Sequence, residues 1–357
     1  CLKNLLTINY LNNYLEILNQ AWQLHLKYKE INAPTIISLF AGCGGSSLGY
    51  SIAGYKELLA VEWDKLATET FRLNFPEVPV YLGDIHKLSV DECLKLANIS
   101  KGELDVLDGS PPCQGFSMVG KRKFADNRNQ LYHEYVRLLR GLKPKIFIME
   151  NVSGLVKGKM KLIFADIMKE LKASDYLVKC KLLNAKYYHV PQNRQRLIWL
   201  GIRNDLKFEI NFPKGNQKVF TCKEVLCDII VDNVPLFNDK YAMLWDKIPF
   251  GKNASIILHN KGFNGCVKLH PFKPAQTLCK LQTGHGFGTM VHWKEKRAIS
   301  INEAKILQSF FSKFQLLGNY QQQWAQIGNS VPPLFMYHIA NHVKALLGYE
   351  KEEFLNS

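Results

Sequence analysis

Nothing in this 357-residue chain is apolar for anything near the ~20 residues a helix needs to cross a bilayer, so no membrane span is expected. No secretory leader is expected in the first stretch either, because Lys3, Asn4, Asn9, Asn12 and Asn13 interrupt its leucines. The start at Cys1 rather than Met reads as a processed or trimmed chain. Paired cysteines are lacking as well. Nine cysteines, irregularly spaced and with no Cys-x-x-Cys, do not read as a disulfide framework. Cys222 and Cys227 have no second pair to complete a zinc site, so no metal is expected. There is no internal repeat and no low-complexity tract. Acids are scarce: 31 Asp and Glu face 46 Lys and Arg, leaving a net charge of +15. Such an excess favours a polyanionic partner, most simply nucleic acid, although a scattered solvated surface gives the same sum. The expectation is a reduced, cytoplasmic protein, 47% apolar, with room for one large domain and a smaller one.

What is present begins with Leu11, Leu15, Leu18, Trp22 and Leu26 at helical spacing, which predicts an amphipathic helix in residues 1–33 packed on the main body. From Pro34 short strands alternate with helices. Residues 35–40 form a strand running into Ala41-Gly42-Cys43-Gly44-Gly45-Ser46-Ser47, a glycine turn that lets a ligand approach the backbone at a helix start. Residues 58–61 form a second strand closed by Glu62, an acid placed to accept from ribose hydroxyls, and residues 78–82 a third, ending at Gly83-Asp84-Ile85. A glycine turn plus an acid would also suit NAD, but the dinucleotide fingerprint wants glycine where this chain has Ser47. Glu62 and Asp84 together fit an adenosine-type cofactor with no pyrophosphate.

Residues 104–108 read as a buried strand, and the prolines of Gly109-Ser110-Pro111-Pro112-Cys113-Gln114 must break it. That delivers Cys113 to the edge where open α/β sheets bind ligands. A simply buried free cysteine is the competing reading. Residues 118–129 are polar, basic and aperiodic, and read as a lid or phosphate clamp or else a plain solvated loop. A helix over 131–142 leads to a fifth strand, 145–149, ending in Glu150-Asn151-Val152, where a carboxyl beside apolar residues can keep its proton. After a helix over 160–172, strands at 176–183 and 197–202 are joined through Gln192-Asn193-Arg194-Gln195-Arg196. Arg194 and Arg196, two apart on an extended segment, point to one side and suit anion or base-edge binding. Residues 204–293 lose the alternation and read as a loop-rich, mostly β domain. Ser300 and Glu303 form a capping box opening a helix through Phe311, and a last helix runs to about Leu347.

Seven blocks in this order make the chain resemble the cytosine-C5 DNA methyltransferases, over almost everything from 35 to 345. They are Phe40-Ala41-Gly42-Cys43-Gly44-Gly45, Glu62-Trp63-Asp64, Gly83-Asp84-Ile85, Pro111-Pro112-Cys113-Gln114-Gly115-Phe116-Ser117, Glu150-Asn151-Val152, Gln192-Asn193-Arg194-Gln195-Arg196, and Gln326-Ile327-Gly328-Asn329-Ser330-Val331. The resemblance implies a doubly wound α/β, Rossmann-like methyltransferase sheet with a smaller target-recognition domain. The domains expected are 1–33 (helical extension), 34–203 (catalytic and cofactor-binding), 204–293 (target recognition), 294–324 (connecting helices) and 325–357 (return to the large domain).

By the same resemblance S-adenosylmethionine binds at Phe40, Ala41, Gly42, Gly44 and Gly45, with Glu62 on the ribose, Trp63 against the adenine, and Asp84 and Ile85 near its amino group. Leu131, Asn329 and Val331 close that pocket. Cys113 is the nucleophile, Glu150 the acid at cytosine N3, Arg196 the partner of the O2 side, and Arg194 a support for the carboxyl or a phosphate. Gln114 fills the gap left by a flipped base, and Ser117, Lys121 and Arg122 grip phosphates. The partner is double-stranded DNA, and the protein a monomer with no obligate protein partner. A tRNA cytosine-C5 methyltransferase on this scaffold, which typically carries Pro-Pro-Cys-Gln-Pro-Phe-Thr, is disfavoured by Gly115-Phe116-Ser117. A silent cofactor-binding module is disfavoured because Cys113, Glu150, Arg194 and Arg196 are all present. An NAD oxidoreductase leaves the Cys113 block unexplained.

Overall fold

A computed structural model describes residues 2–27, 29–112, 131–227, 229–231, 234, 239–258, 266–280, 290–351 and 354–355. Cys113, Gln114, Ser117, Lys121 and Arg122 lie outside the described residues.

The body is one seven-stranded sheet. In chain order the strands are β1 (Thr35–Leu39), β2 (Lys56–Glu62), β3 (Val80–Leu82), β4 (Val106–Gly109), β5 (Ile146–Val152), β6 (Tyr176–Asn184), the two-residue β7 (Gln192–Asn193) and β8 (Gln195–Arg203). The sheet order is β3-β2-β1-β4-β5-β8-β6, with β1 to β5 mutually parallel and β8 antiparallel to both its neighbours. Central strands such as Ile146–Met149 are apolar on both faces because helices cover both. On one face lie α1 (Leu2–Leu26), α2 (Gly45–Ile52) and α3 (Lys65–Asn74), and on the other α4 (Val90–Ala97), α5 (Leu131–Leu142) and α6 (Lys161–Lys172). The expected doubly wound sheet is therefore present. No helix among the described residues is long and apolar enough to cross a membrane.

The chain then leaves the sheet through α7 (Cys222–Leu226), α8 (Asp239–Lys247) and α9 (Ser255–Leu258), with β9 (Val267–Lys268), β10 (Ala275–Gln276) and β11 (Met290–Val291). This stretch is loop-rich as expected but, among its described residues, not mostly β. Its strands are two-residue pairings, while a Thr221–Glu224 capping box and the Trp245 segment set helices instead. Trp245, Ile248, Ala254, Cys266 and Val291 form a small core of their own. Phe220, Cys222, Leu269, Ala275 and Leu278 instead join the core against the sheet, so packing does not divide at residue 204.

The return runs through α10 (Ile301–Leu307), α11 (Tyr320–Asn329) and α12 (Pro333–Leu346). The Ser300–Glu303 capping box starts α10, and Glu303 also takes a bidentate pair from Arg297 at 2.7 and 2.9 Å. The helix ends at Leu307 rather than Phe311 because Ser309 turns left-handed (φ 61°), letting the Phe310 amide close on Lys305. α2 lies so close to α12 that a Cβ on Gly49 would sit 2.6 Å from the Pro333 carbonyl oxygen. Among the described side chains of α1, the buried ones are Tyr14, Leu18, Ala21 and His25; Leu26, expected in that stripe, is 58% exposed. Tyr14 fixes the helix, its hydroxyl donating to the His189 carbonyl at 3.2 Å.

Candidate active site at the carboxyl edge of the sheet

Because β1 to β5 run parallel, their carboxyl ends share one rim, and the strand order reverses between β1 and β4. Ligands of open α/β sheets bind at such a switch point. On one side of it lies the glycine turn after β1. Phe40 is already left-handed (φ 59°), a conformation costing a bulky residue about 1 kcal/mol or more, and such strain concentrates at functional sites. Gly42 (φ 58°) would meet nothing within 4 Å if it carried a Cβ, so the turn is an open cradle. A Cβ on Gly45 would instead lie 2.5 Å from the Val331 carbonyl oxygen, so the segment holding Asn329 and Val331 does reach the turn.

Glu62, almost fully buried, holds this turn. Its Oε2 accepts from the Gly42 amide at 2.7 Å, and Oε1 from the amides of Trp63 and Asp64, both at 2.9 Å. A carboxylate has about four acceptor positions, so three backbone donors leave room for one more. Burial raises its pKa, while the three amides pull the other way. Trp63 stands beside it 76% exposed, a large flat ring left open at the rim. Asp84, on the next strand end, is exposed and accepts from the His86 backbone and ring at 3.0 and 2.8 Å. Ile85 is buried and gives its carbonyl to Arg137 at 3.0 Å, and Leu131 starts α5 against the same core.

On the other side of the switch point, β4 leads to Pro111 and Pro112. Asn151, buried at the end of β5, donates its side-chain amide to the Pro111 carbonyl at 3.0 Å. The residue before it, Glu150, is nearly buried and accepts from Arg196 Nε at 2.6 Å. Residues 150 and 196 sit on one sheet face because Glu150 pairs with Ile198 and Val152 with Arg196. So the chain enters the Cys113 block tied to β5 one residue along from a carboxylate–guanidinium pair. Beneath it, Asp108 is buried and accepts from the Tyr50 hydroxyl at 3.2 Å; burial pushes its pKa up to about 7.

Arg194 is placed differently from its expectation. Its side chain is buried like that of Arg196, but its guanidinium contacts neither the carboxyl nor open solvent. It donates to the carbonyls of Leu278 (2.9 Å), Gly328 (3.1 Å) and Ser330 (3.0 Å), tying the stretch after β10 to the Asn329–Val331 segment. Burial lowers its pKa to about 9. Arg194→Met should cost about 3 kcal/mol, since three buried carbonyls lose a charged donor. Urea unfolding measures it, and a loss under about 1 kcal/mol would refute the tie.

Sequence reasoning missed this tie, and it missed the role of Gln192 within its block: the side-chain amide contacts Leu307 and Gln308 while the side-chain carbonyl takes the Leu278 amide. It also missed the Asn151 clamp, although Asn151 lay inside a block singled out for Glu150.

With this geometry in view, comparisons with known proteins converge. A family model described as C-5 cytosine-specific DNA methylase matches residues 34–345. The Type II methyltransferase M1.HphI of Haemophilus parahaemolyticus is 35% identical over 330 residues, 87% of this chain and 86% of that protein. Type II methyltransferase M.NgoPII of Neisseria gonorrhoeae is 31% identical, over 88% of this chain and 97% of its own. A crystal structure described as a DNA modification methyltransferase encoded within an E. coli prophage superposes with TM-score 0.75 at 25% identity, covering 88% of this chain and all of that one.

Proposed function

We propose that this chain, which belongs to the C-5 cytosine-specific DNA methylase family, methylates C5 of a flipped-out cytosine within a specific duplex DNA sequence. The donor is S-adenosylmethionine and the nucleophile is Cys113. What supports this most is one juxtaposition: Asn151 clamps the Pro111 end of the Cys113 block, and its neighbour Glu150 is paired with Arg196.

The residues at the rim fit the donor. The open cradle at Gly42, the exposed Trp63 ring, the remaining acceptor position on Glu62 and the rim carboxylate Asp84 suit a nucleoside that carries no pyrophosphate. When bound, S-adenosylmethionine supplies an electrophilic methyl group on a sulfonium. The chain supplies the rest. A base stacked in duplex cannot enter a pocket, so the target cytosine must leave the helix. C5 of cytosine is too weak a nucleophile until a thiolate adds at C6. The Cys113 sulfur forms that bond, and the ring electrons gathered at C5 can then take the methyl group. Glu150, a carboxylate against Arg196 until the base arrives, takes up a proton from solvent and passes it to N3 as charge builds on the ring, and Arg196 faces the O2 side. Loss of the C5 proton expels the Cys113 sulfur and restores the ring.

Incubating the purified chain with labelled donor and duplex DNA, followed by bisulfite sequencing, tests the reading. Methyl-cytosine at one short sequence is the expected result, with DNA affinity falling steeply as salt rises because several phosphates are neutralised. Labelling of tRNA and not of duplex would overturn it. The Type II methyltransferases among its relatives extend the reading to a modification enzyme of that type.

A further inference from the structure

A groove of about 530 Å³ runs along the outer edge of the sheet, where β6 meets β8 and the loop over residues 212–215. Three of its lining residues, Lys181, Lys186 and Lys214, are basic; three more, Asn184, Asn193 and Gln195, carry amides; none of the thirteen is acidic. In a surface of mixed charge an acid-free groove with three lysines is a feature to explain.

The groove is preformed. Lys179 donates to the Ile210 carbonyl at 2.8 Å, the Tyr188 hydroxyl to the Pro213 carbonyl at 3.0 Å, and the Asn216 amide to the Tyr187 carbonyl at 2.7 Å, so the 210–216 loop is pinned to β6 and the turn after it. The Asn184 amide donates to Asn193 at 2.7 Å and fixes the floor. Two lysines are held over rings, Lys186 at 4.7 Å from the Tyr187 centroid and Lys181 at 5.8 Å from that of Phe212. Such stems pack on apolar surface while the ammonium stays in water.

Its position names the occupant. Asn184 pairs with Gln195 and Leu183 with Arg196, so the groove opens one residue from the Glu150–Arg196 pair. Lys181 pairs with Ile198 and therefore lies on the same sheet face as Arg196. Lysines act as point charges toward phosphate, and side-chain amides donate to the same oxygens. We infer that this groove carries the sugar–phosphate backbone of the duplex beyond the target base pair, adding three lysine–phosphate contacts outside the recognised sequence. The inference rests on the duplex-DNA reading above.

The test compares wild type with Lys181→Gln/Lys186→Gln/Lys214→Gln and with a control of equal charge loss, Lys95→Gln/Lys101→Gln/Lys172→Gln, on exposed lysines elsewhere. Fluorescence anisotropy on a duplex of about 40 base pairs is read across a salt titration. The groove variant should bind on the order of a hundredfold more weakly at ~0.1 M salt, and its log K against log salt slope should flatten by about 3. The control should keep the wild-type slope within about 1, and arginine at the three groove positions should restore binding. A groove variant indistinguishable from the control would overturn the assignment while wild-type methylation of the same duplex keeps the reading of function intact. Loss of single-stranded RNA binding with duplex binding unchanged would also overturn it. A wild-type chain that never methylates duplex would instead bring down the underlying reading.

Discussion

Cys113→Ser is expected to slow methyl transfer by at least about a thousandfold while leaving donor and DNA affinity within a few-fold of wild type, because a serine hydroxyl stays protonated where a thiolate is needed. Burial leaves few other sulfurs able to serve. It pushes the thiols of Cys43, Cys93, Cys180, Cys222 and Cys266 up to about 12, so each stays protonated at neutral pH. Cys43 sits within the glycine turn itself, yet its sulfur is spent against the Ser330 hydroxyl at 3.2 Å. An oligonucleotide containing 5-fluorocytosine blocks the final proton loss, so wild type should form a denaturation-resistant adduct whose cross-linked peptide contains residue 113. The serine variant should form none. An adduct mapped to any other cysteine, or full turnover by the variant, would remove Cys113 from the chemistry.

What the sequence displays of this site depends on where the information sits along the chain. The strand–glycine-turn–helix unit of β1 and α2, the acid closing β2 and the carboxylate closing β5 are each written in consecutive residues, and each landed on the same rim of the sheet. Arg194 shows the limit. Its side chain meets carbonyls 84, 134 and 136 residues away, and a backbone carbonyl has no residue identity for a sequence to display. The spacing of Arg194 and Arg196 predicted a shared side and could not predict that one would face a carboxylate and the other the backbone. The Asn151 clamp reaches 40 residues back to Pro111 and was hidden for the same reason. Local errors had local causes: a left-handed Ser309 stopped α10 early, and α1 turned Tyr14 and His25 inward in place of Leu26. The 204–293 stretch misled because turn-rich composition is common to short helices and short strands alike.

Glu150→Gln should slow methylation by a hundredfold to a thousandfold, on the order expected for loss of a positioned general acid. The amide matches the carboxyl in shape, so the pocket keeps its form, but it has no proton to pass to N3. It also removes the negative partner of Arg196, at 2.6 Å and nearly out of water, and an unpaired buried guanidinium destabilises the fold. Stability and catalysis must therefore be read separately. Thermal unfolding reports the first, and single-turnover methyl transfer at saturating donor and DNA, well below the variant's melting point, reports the second. A pH series then separates a proton donor from a mere spacer. With Glu150 gone, N3 must be protonated directly from solvent, so the residual rate of the variant should climb as pH falls. A variant with wild-type single-turnover rate, or one whose slow rate ignores pH, would assign Glu150 to holding Arg196 and nothing more.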